Sequence, residues 1–249
     1  MQTIKIPHHG RQIDASVYRP EGDGHFPIVI FSHGFNGHQS DFGHITELLS
    51  MNGIGSVCFN FCGGGTRDTS GFPTTMMSLV TEKEDLFAVL DEVKSWDWVD
   101  SNRIYLFGAS QGGMVSALVA EERGAEIKAM MLLYPAFCIA DDWQKRFPNK
   151  EDIPEEVTLW EVTLGRTYFE IVHDFKINER TGGYDKPVLF MHGTEDGVVP
   201  ISYSEQGAKR YPDASLEIFP GEGHGFTPEG DRRVAEMALA FIREQEKWR

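Results

Sequence analysis

Gly108-Ala-Ser110-Gln-Gly112 sets a serine between glycines at the spacing G-x-S-x-G, where the apolar run Ile104-Tyr-Leu-Phe107 meets the helix-like Met114-Val-Ser-Ala-Leu-Val-Ala120. A tight strand-to-helix turn at this junction holds a serine in a strained conformation with its hydroxyl exposed, and flanking glycines let strand and helix approach. Unpaired amides at the start of the following helix would stabilise negative charge developing on a bound carbonyl oxygen. Attack by a serine needs a base to take its proton and a carboxylate to fix that base in the right tautomer. Two later loops offer both: Asp196 in Gly193-Thr-Glu-Asp-Gly-Val-Val-Pro200 and His224 in Pro220-Gly-Glu-Gly-His-Gly-Phe226, each behind an apolar strand. The pentapeptide alone is a common chance match; a serine, an aspartate and a histidine in that order, each at a strand end, are far more specific. Competitors exist. Glu195 adjoins Asp196 but points elsewhere, Asp141 and Asp142 follow the preceding strand, His192 ends a strand as a packing residue, and His173 falls in an irregular segment.

The elements around these residues follow from periodicity. Thr3 to Ile6 and Gln12 to Tyr18 read as edge strands joined at His8-His9-Gly10, the second alternating Ile13, Ala15 and Val17 with polar neighbours. Pro27 to Ser32 is apolar enough for a buried central strand and ends in His33-Gly-Phe-Asn-Gly37. A helix is expected from Asp41 to Met51 with Ile45, Leu48 and Leu49 on one face, then a strand from Ile54 to Phe61. Glu82 to Trp98 has Leu86, Val89, Leu90 and Val93 at amphipathic spacing and leads to the strand before Ser110, with Trp96 and Trp98 as packing residues. Ile127 to Tyr134, Lys186 to His192 and Ser215 to Phe219 read as strands, Ser202 to Arg210 and a segment from Asp231 onward as helices. Strands alternating with helices imply an α/β fold, a mostly parallel sheet covered on both faces, in a single domain over 1–249. From Ala136 to Asp185 the alternation breaks: Trp143, Phe147, Trp160, Tyr168 and Phe169 are scattered among charges, and Pro148 and Pro154 exclude a long helix. Residues 136–185 are too many for a plain connection and are expected to form an insertion that lids Ser110.

Composition bounds the function. A formal charge of -15 on 249 residues argues against nucleic acid or an anionic membrane surface as a partner. No apolar run approaches the ~20 residues of a membrane span, and the start Met1-Gln-Thr-Ile-Lys-Ile-Pro lacks a signal-peptide apolar region, so a cytoplasmic protein is expected. Cys58, Cys62 and Cys138 are odd in number and read as free thiols. His33, His38 and His44 lack metal-ligand spacing, so packing or pocket lining is expected of them and no metal. Cys62-Gly-Gly-Gly-Thr66 has no following Gly-Lys-Ser/Thr and reads as a mobile loop bordering the site rather than a phosphate cradle. Nothing chooses between a monomer and a homodimer.

His33-Gly-Phe-x-Gly37-His38, Gly108-x-Ser-Gln-Gly-Gly113, Leu164-Gly-Arg-Thr-Tyr168 within the insertion, His192-Gly-Thr-x-Asp196 and Gly223-His224 together resemble the bacterial cinnamoyl (feruloyl) esterases of the α/β-hydrolase superfamily. The pattern H-G-x-x-D-x-x-V-P supports Asp196 as the acid. The resemblance implies a serine carboxylesterase acting on small to medium, aryl or hydroxycinnamoyl esters, with Ser110, Asp196 and His224 as its triad and no metal or organic cofactor. It also implies that the backbone amides of Phe35 and Gln111 form an oxyanion hole, their side chains mattering less, and that a cap closes over the acyl group. Tyr168, and more weakly Asp142, become candidate substrate contacts; Tyr168 as plain cap packing stands beside that reading. Where such enzymes carry Asp-x-x-Gly-His-Gly, this chain has Asn60-Phe-Cys-Gly63-Gly-Gly65, which leaves substrate range more open than reaction type. A prolyl-oligopeptidase-clan peptidase, a thioesterase and a non-catalytic binding protein of the same fold are the alternatives.

Overall fold

Side chains alternate across each central strand, and the two sets that result decide which helices cover which face of the sheet. The computed structural model describes residues 1–247. Its strands are β1 (Gln2–His8), β2 (Arg11–Tyr18), β3 (Phe26–Ser32), β4 (Gly55–Phe59), β5 (Val99–Ala109), β6 (Ala129–Leu133), β7 (Glu156–Leu159), β8 (Val162–Gly165), β9 (Val188–Gly193) and β10 (Ala214–Phe219). All but β7 and β8 form an eight-stranded sheet in the order β1-β2-β4-β3-β5-β6-β9-β10. The β1–β2 and β2–β4 pairs are antiparallel; from β4 to β10 every pair is parallel.

The main helices are α1 (Gly43–Met51), α2 (Leu79–Lys94), α3 (Gln111–Arg123), α4 (Ile139–Arg146), α5 (Arg166–His173), α6 (Ile177–Arg180), α7 (Ser202–Arg210) and α8 (Pro228–Glu246). Val29, Phe31, Tyr105 and Phe107 pack toward Ile45 and Leu49 of α1 and Val234, Leu239 and Ile242 of α8. Their neighbours Ile28, Ile30, Ile104 and Leu106 pack on the opposite face with Leu86, Val89, Leu90 and Val93 of α2 and with Val115 and Val119 of α3. The period-two pattern thus sorts one strand pair into two cores. From β3 the chain moves outward to β4 and then returns past β3 to β5. The crevice at the C-terminal ends of β3 and β5 is therefore a topological switch point, where open α/β sheets bind ligands.

Three helices differ from the periodicity reading at their ends, α8 starting at Pro228 rather than Asp231 behind its Thr227 cap. The one expected over 82–98 begins earlier because Ser78 forms a capping box with Thr81, and it stops at Lys94. Trp96 and Trp98 lie beyond it and stack at 5.4 Å, with Trp98 against Gly55, where an added Cβ would come within 2.7 Å of its ring. The segment expected as a helix from Asp41 splits into a 3₁₀ turn, Gln39–Phe42, capped by His38, followed by α1. All three cysteines are buried and free.

The 136–185 stretch holds α4, the β7–β8 hairpin, α5 and α6. Its dispersed aromatics converge: Phe169 is fully buried, with Trp143, Tyr168 and Phe147 at ring distances of 4.6, 5.3 and 5.9 Å. The hairpin is tied to the main body where Thr74 Oγ1 donates to Thr163 O (2.6 Å). Gly165 there lies so close that a Cβ would fall 2.1 Å from Thr75 O.

Candidate active site

Ser110 sits between β5 and α3 with φ 52° and ψ -120°, a conformation that costs a non-glycine residue about 1–3 kcal/mol. What holds it there is the absence of side chains at its flanks. A Cβ on Gly108 would lie 2.4 Å from Gly112 O, and one on Gly112 would lie 2.2 Å from Ser32 O at the end of β3. Main-chain bonds complete the elbow: Ser110 N donates to Leu133 O, and Ala136 N donates to Ser110 O, both at 2.9 Å. Residues Gln111 to Ala120 of α3 are buried throughout, so the elbow is set on the central helix of the molecule.

The loops after β9 and β10 bring the other two groups to it. His224 Nε2 lies 3.0 Å from Ser110 Oγ, and His224 Nδ1 lies 2.8 Å from Asp196 Oδ2. The two loops interlock: a Cβ on Gly193 would fall 2.1 Å from Glu222 O. The Asp196 carboxylate is wholly buried. Burial pushes its pKa up, but hydrogen bonds from His192, His224 and the Val199 and Val198 amides outweigh that and hold it well below the usual carboxylate range. His192, a strand-end residue, thus does more than pack: its Nε2 is 3.2 Å from Asp196 Oδ2 and 2.9 Å from Val199 O, and its Nδ1 meets Ser204 Oγ at 2.7 Å. Tyr134, also outside the sequence reading of the site, lays its ring 4.5 Å from that of His224. Glu195 and His173 take no part in this line; Asp141 instead accepts from Tyr203 Oη.

The loop after β3 closes the other side of Ser110. Gly34 lies so near that a Cβ would come 3.0 Å from Ser110 Cβ. His33 is buried, which pushes its pKa down to about 4 and keeps it neutral; its Nδ1–H donates to Gly34 O (2.7 Å) and its Nε2 accepts from Phe61 N (3.1 Å). With Gly34 O so engaged, the next amide, Phe35 N, and that of Gln111 at the start of α3 are left with no acceptor among the described residues. The glycine run braces this loop from behind and does not line the site: Gly64 O accepts from Asn36 N (3.0 Å), while Asn36 Oδ1 accepts from Thr66 N (2.9 Å). His38 caps its 3₁₀ turn, and His44 lines a cavity beside Ser110. Among the described residues no group of His, Cys, Asp and Glu is arranged to hold a metal ion.

Gln111 differs from expectation, because its side chain is engaged as closely as its backbone. Its Nε2 donates to both oxygens of Glu82 (2.9 and 2.8 Å), and its Oε1 accepts from Tyr168 Oη at 2.9 Å. All three side chains are buried. Burial pushes the Glu82 carboxyl up to about 8, so at neutral pH it is mostly protonated. The sequence did carry a signal for Glu82: it stands at the helical spacing of Leu79, Leu86 and Val89, a charged residue on an apolar stripe.

Two cavities meet at Ser110, with Phe35 and Trp160 common to both walls. One, of 130 Å³, is lined also by Gln111, Ile139, Trp143, Leu164 and Tyr168, with Asp142 at its edge. The other, of 250 Å³, is lined also by His44, Tyr134, His224, Gly225 and Asp231. Tyr168 and Asp142 therefore both border space next to the serine, although the Tyr168 hydroxyl is already committed to Gln111. A larger groove of 750 Å³ between α2, α3 and α5 shares no wall with these loops.

A serine hydroxyl, an imidazole and a buried carboxylate in hydrogen-bonded line, beside two free amides, form an arrangement able to carry out acyl transfer. The model of the prolyl oligopeptidase family matches residues 40–247. The chain belongs to that family. It is 27% identical over 225 residues to a putative esterase/lipase of Mycoplasma pneumoniae, covering 78% of this chain and 81% of that one. Esterase YjfP of Escherichia coli is 24% identical over 249 residues, covering 89% and 90%. Among solved structures, Est1E of Butyrivibrio proteoclasticus, determined with ferulic acid bound, superposes with a TM-score of 0.89 at 28% identity, covering 97% and 98%. Within the family the chain is thus an α/β hydrolase of esterase/lipase type, resembling the cinnamoyl esterases.

Proposed function

We propose that the protein is a serine carboxylesterase that hydrolyses small to medium esters of aryl or hydroxycinnamoyl acids through an acyl-enzyme. The observation that carries this reading is the Ser110–His224–Asp196 line, at 3.0 and 2.8 Å, opening onto an apolar cavity. In the first half-reaction His224 Nε2 takes the Ser110 proton as Oγ attacks the ester carbonyl, and the Phe35 and Gln111 amides receive the oxyanion. His224 then gives that proton to the alcohol oxygen as the C–O bond breaks. A water, deprotonated by His224 in its turn, attacks the acyl carbon; the acyl–Oγ bond then breaks as His224 returns that proton to Ser110 Oγ, freeing the acid and restoring the enzyme. Asp196, held ionised, fixes the imidazole tautomer and offsets its positive charge throughout.

The aryl preference rests on lining: the 130 Å³ cavity beside Ser110 is walled by Trp143, Trp160, Tyr168, Leu164 and Ile139, apolar and aromatic surfaces on which a ring packs. The ferulic acid in Est1E supports the same class of acyl group. The family's description favours a second reading, a peptidase. Matched ester, thioester and amide derivatives of ferulate separate the two by kcat/KM: the ester is expected to lead, and Ser110→Ala to lower its turnover by at least about 10⁴-fold with the melting temperature preserved. Preferred cleavage of the amide, or turnover surviving in Ser110→Ala, contradicts the proposal.

A further inference from the structure

On the proposed mechanism the two cavities beside Ser110 receive different halves of the ester, and the imidazole says which. His224 must hand its proton to the departing oxygen, so the alcohol leaves along the wall that His224 forms. His224 and Gly225 line the 250 Å³ cavity and are absent from the walls of the 130 Å³ one, which contains Gln111 and the aromatics of 136–185. The larger cavity is the alcohol side.

Its ionisable walls are Asp41, Asp231, His33, His44, His224 and Tyr134, the last kept neutral by burial, with no lysine or arginine among them. His33 is neutral and hydrogen-bonded on both nitrogens. Asp41 is paired with Arg67, whose Nη2 lies 3.1 Å from both of its oxygens. Asp231, in the first turn of α8, is different: among the described residues its carboxylate accepts no hydrogen bond and makes no ion pair, and the charged groups that act on it are His44, in the same wall, and Glu222. The neighbouring Glu222 is occupied by the Thr227 amide and hydroxyl.

We propose that this cavity selects the leaving alcohol by charge, taking an uncharged, hydroxyl-bearing alcohol and excluding an anionic one, with Asp231 as the residue that decides. An unpaired carboxylate accepts hydrogen bonds from alcohol hydroxyls, while in a partly desolvated cavity it repels a second anion strongly. The formal charge of -15 acts in the same direction at longer range. A cavity of 250 Å³ has room for a single polyol or sugar-sized unit.

The inference rests on the esterase reading, and three esters of one acyl group keep the two apart. Methyl caffeate tests the reading itself; chlorogenate carries an anionic cyclic polyol as its alcohol; methyl chlorogenate is the same polyol with the carboxylate masked. At low ionic strength kcat/KM for chlorogenate is expected to fall about tenfold below that for methyl chlorogenate. Salt should narrow that gap in the wild-type enzyme, and Asp231→Asn should narrow it about fivefold, each enzyme being referred to its own rate on methyl caffeate. Equal rates on the masked and unmasked esters, or a gap that neither salt nor Asp231→Asn moves, overturn the proposal while leaving the esterase reading in place. Loss of methyl caffeate hydrolysis as well would remove both.

Discussion

Gln111 faces two ways: its amide opens toward Ser110, and its side chain is bolted between Tyr168 of the inserted segment and Glu82 of the core. A donor in an oxyanion hole works because it is fixed before charge develops, and losing one typically costs about 10²–10³ in kcat. Tyr168 lines the smaller cavity, and we propose that its hydroxyl, engaged by Gln111, acts on catalysis by fixing that residue rather than by bonding the acyl group. Tyr168→Phe is expected to lower kcat about tenfold with KM nearly unchanged, and by the same factor for ferulate and for cinnamate esters, which lack the 4-hydroxyl. Steady-state kinetics on the two ester series checks this; a loss confined to the hydroxylated series would make Tyr168 a substrate contact instead. Tyr168 is reached from the sequence by resemblance alone, because a hydrogen bond spanning 57 residues leaves no local pattern. Ser110 was legible for the opposite reason: its backbone geometry requires glycine two positions to either side.

At the scale of elements, α2 buries two acids, Glu82 and Asp85, on its otherwise apolar face. Burial raises both carboxyls, Glu82 to about 8 and Asp85 to about 7. A carboxyl whose folded pKa lies above its unfolded value binds more protons in the native state. Stability is then highest below the unfolded pKa, near 4.5 for Glu82, and falls as pH rises toward about 8. Glu82→Gln keeps an acceptor for Gln111 without that proton linkage. Relative to wild type it should start near equality at pH 5 and gain by pH 8, by up to about 4 kcal/mol, read as a rise of several degrees in relative melting temperature. A difference between the two proteins that stays constant over that range would contradict the buried, protonated state of Glu82. Elements were otherwise legible where periodicity was long, as in α2, and illegible where they were short. The β7–β8 hairpin escaped because its four-residue strands turn through Trp160 and Glu161, both at positive φ (45° and 68°), with none of the Asn or Gly that usually marks such a turn.

At the scale of the whole molecule, the sheet order explains why residues at 35, 110, 196 and 224 meet. All follow the C-terminal ends of parallel strands, and β3 and β5, neighbours through the chain's return, set Phe35 beside Ser110. The alternation of strands and helices implied that common edge but not the neighbour relations, which depend on which helix crosses which face. The 136–185 stretch supplies most of the walls of the smaller cavity and joins the core and the loop after β3 through Tyr168 and Trp160. Hydrolysis by this site depends on Ser110 being a nucleophile that His224 activates. Mass spectrometry of the protein after exposure to a fluorophosphonate tests this most directly. A phosphonyl adduct confined to the peptide bearing Ser110, formed rapidly by the wild type and at least about 10³-fold more slowly by His224→Ala, is the expected result. An unlabelled Ser110, or labelling that proceeds equally well without the imidazole, would contradict it.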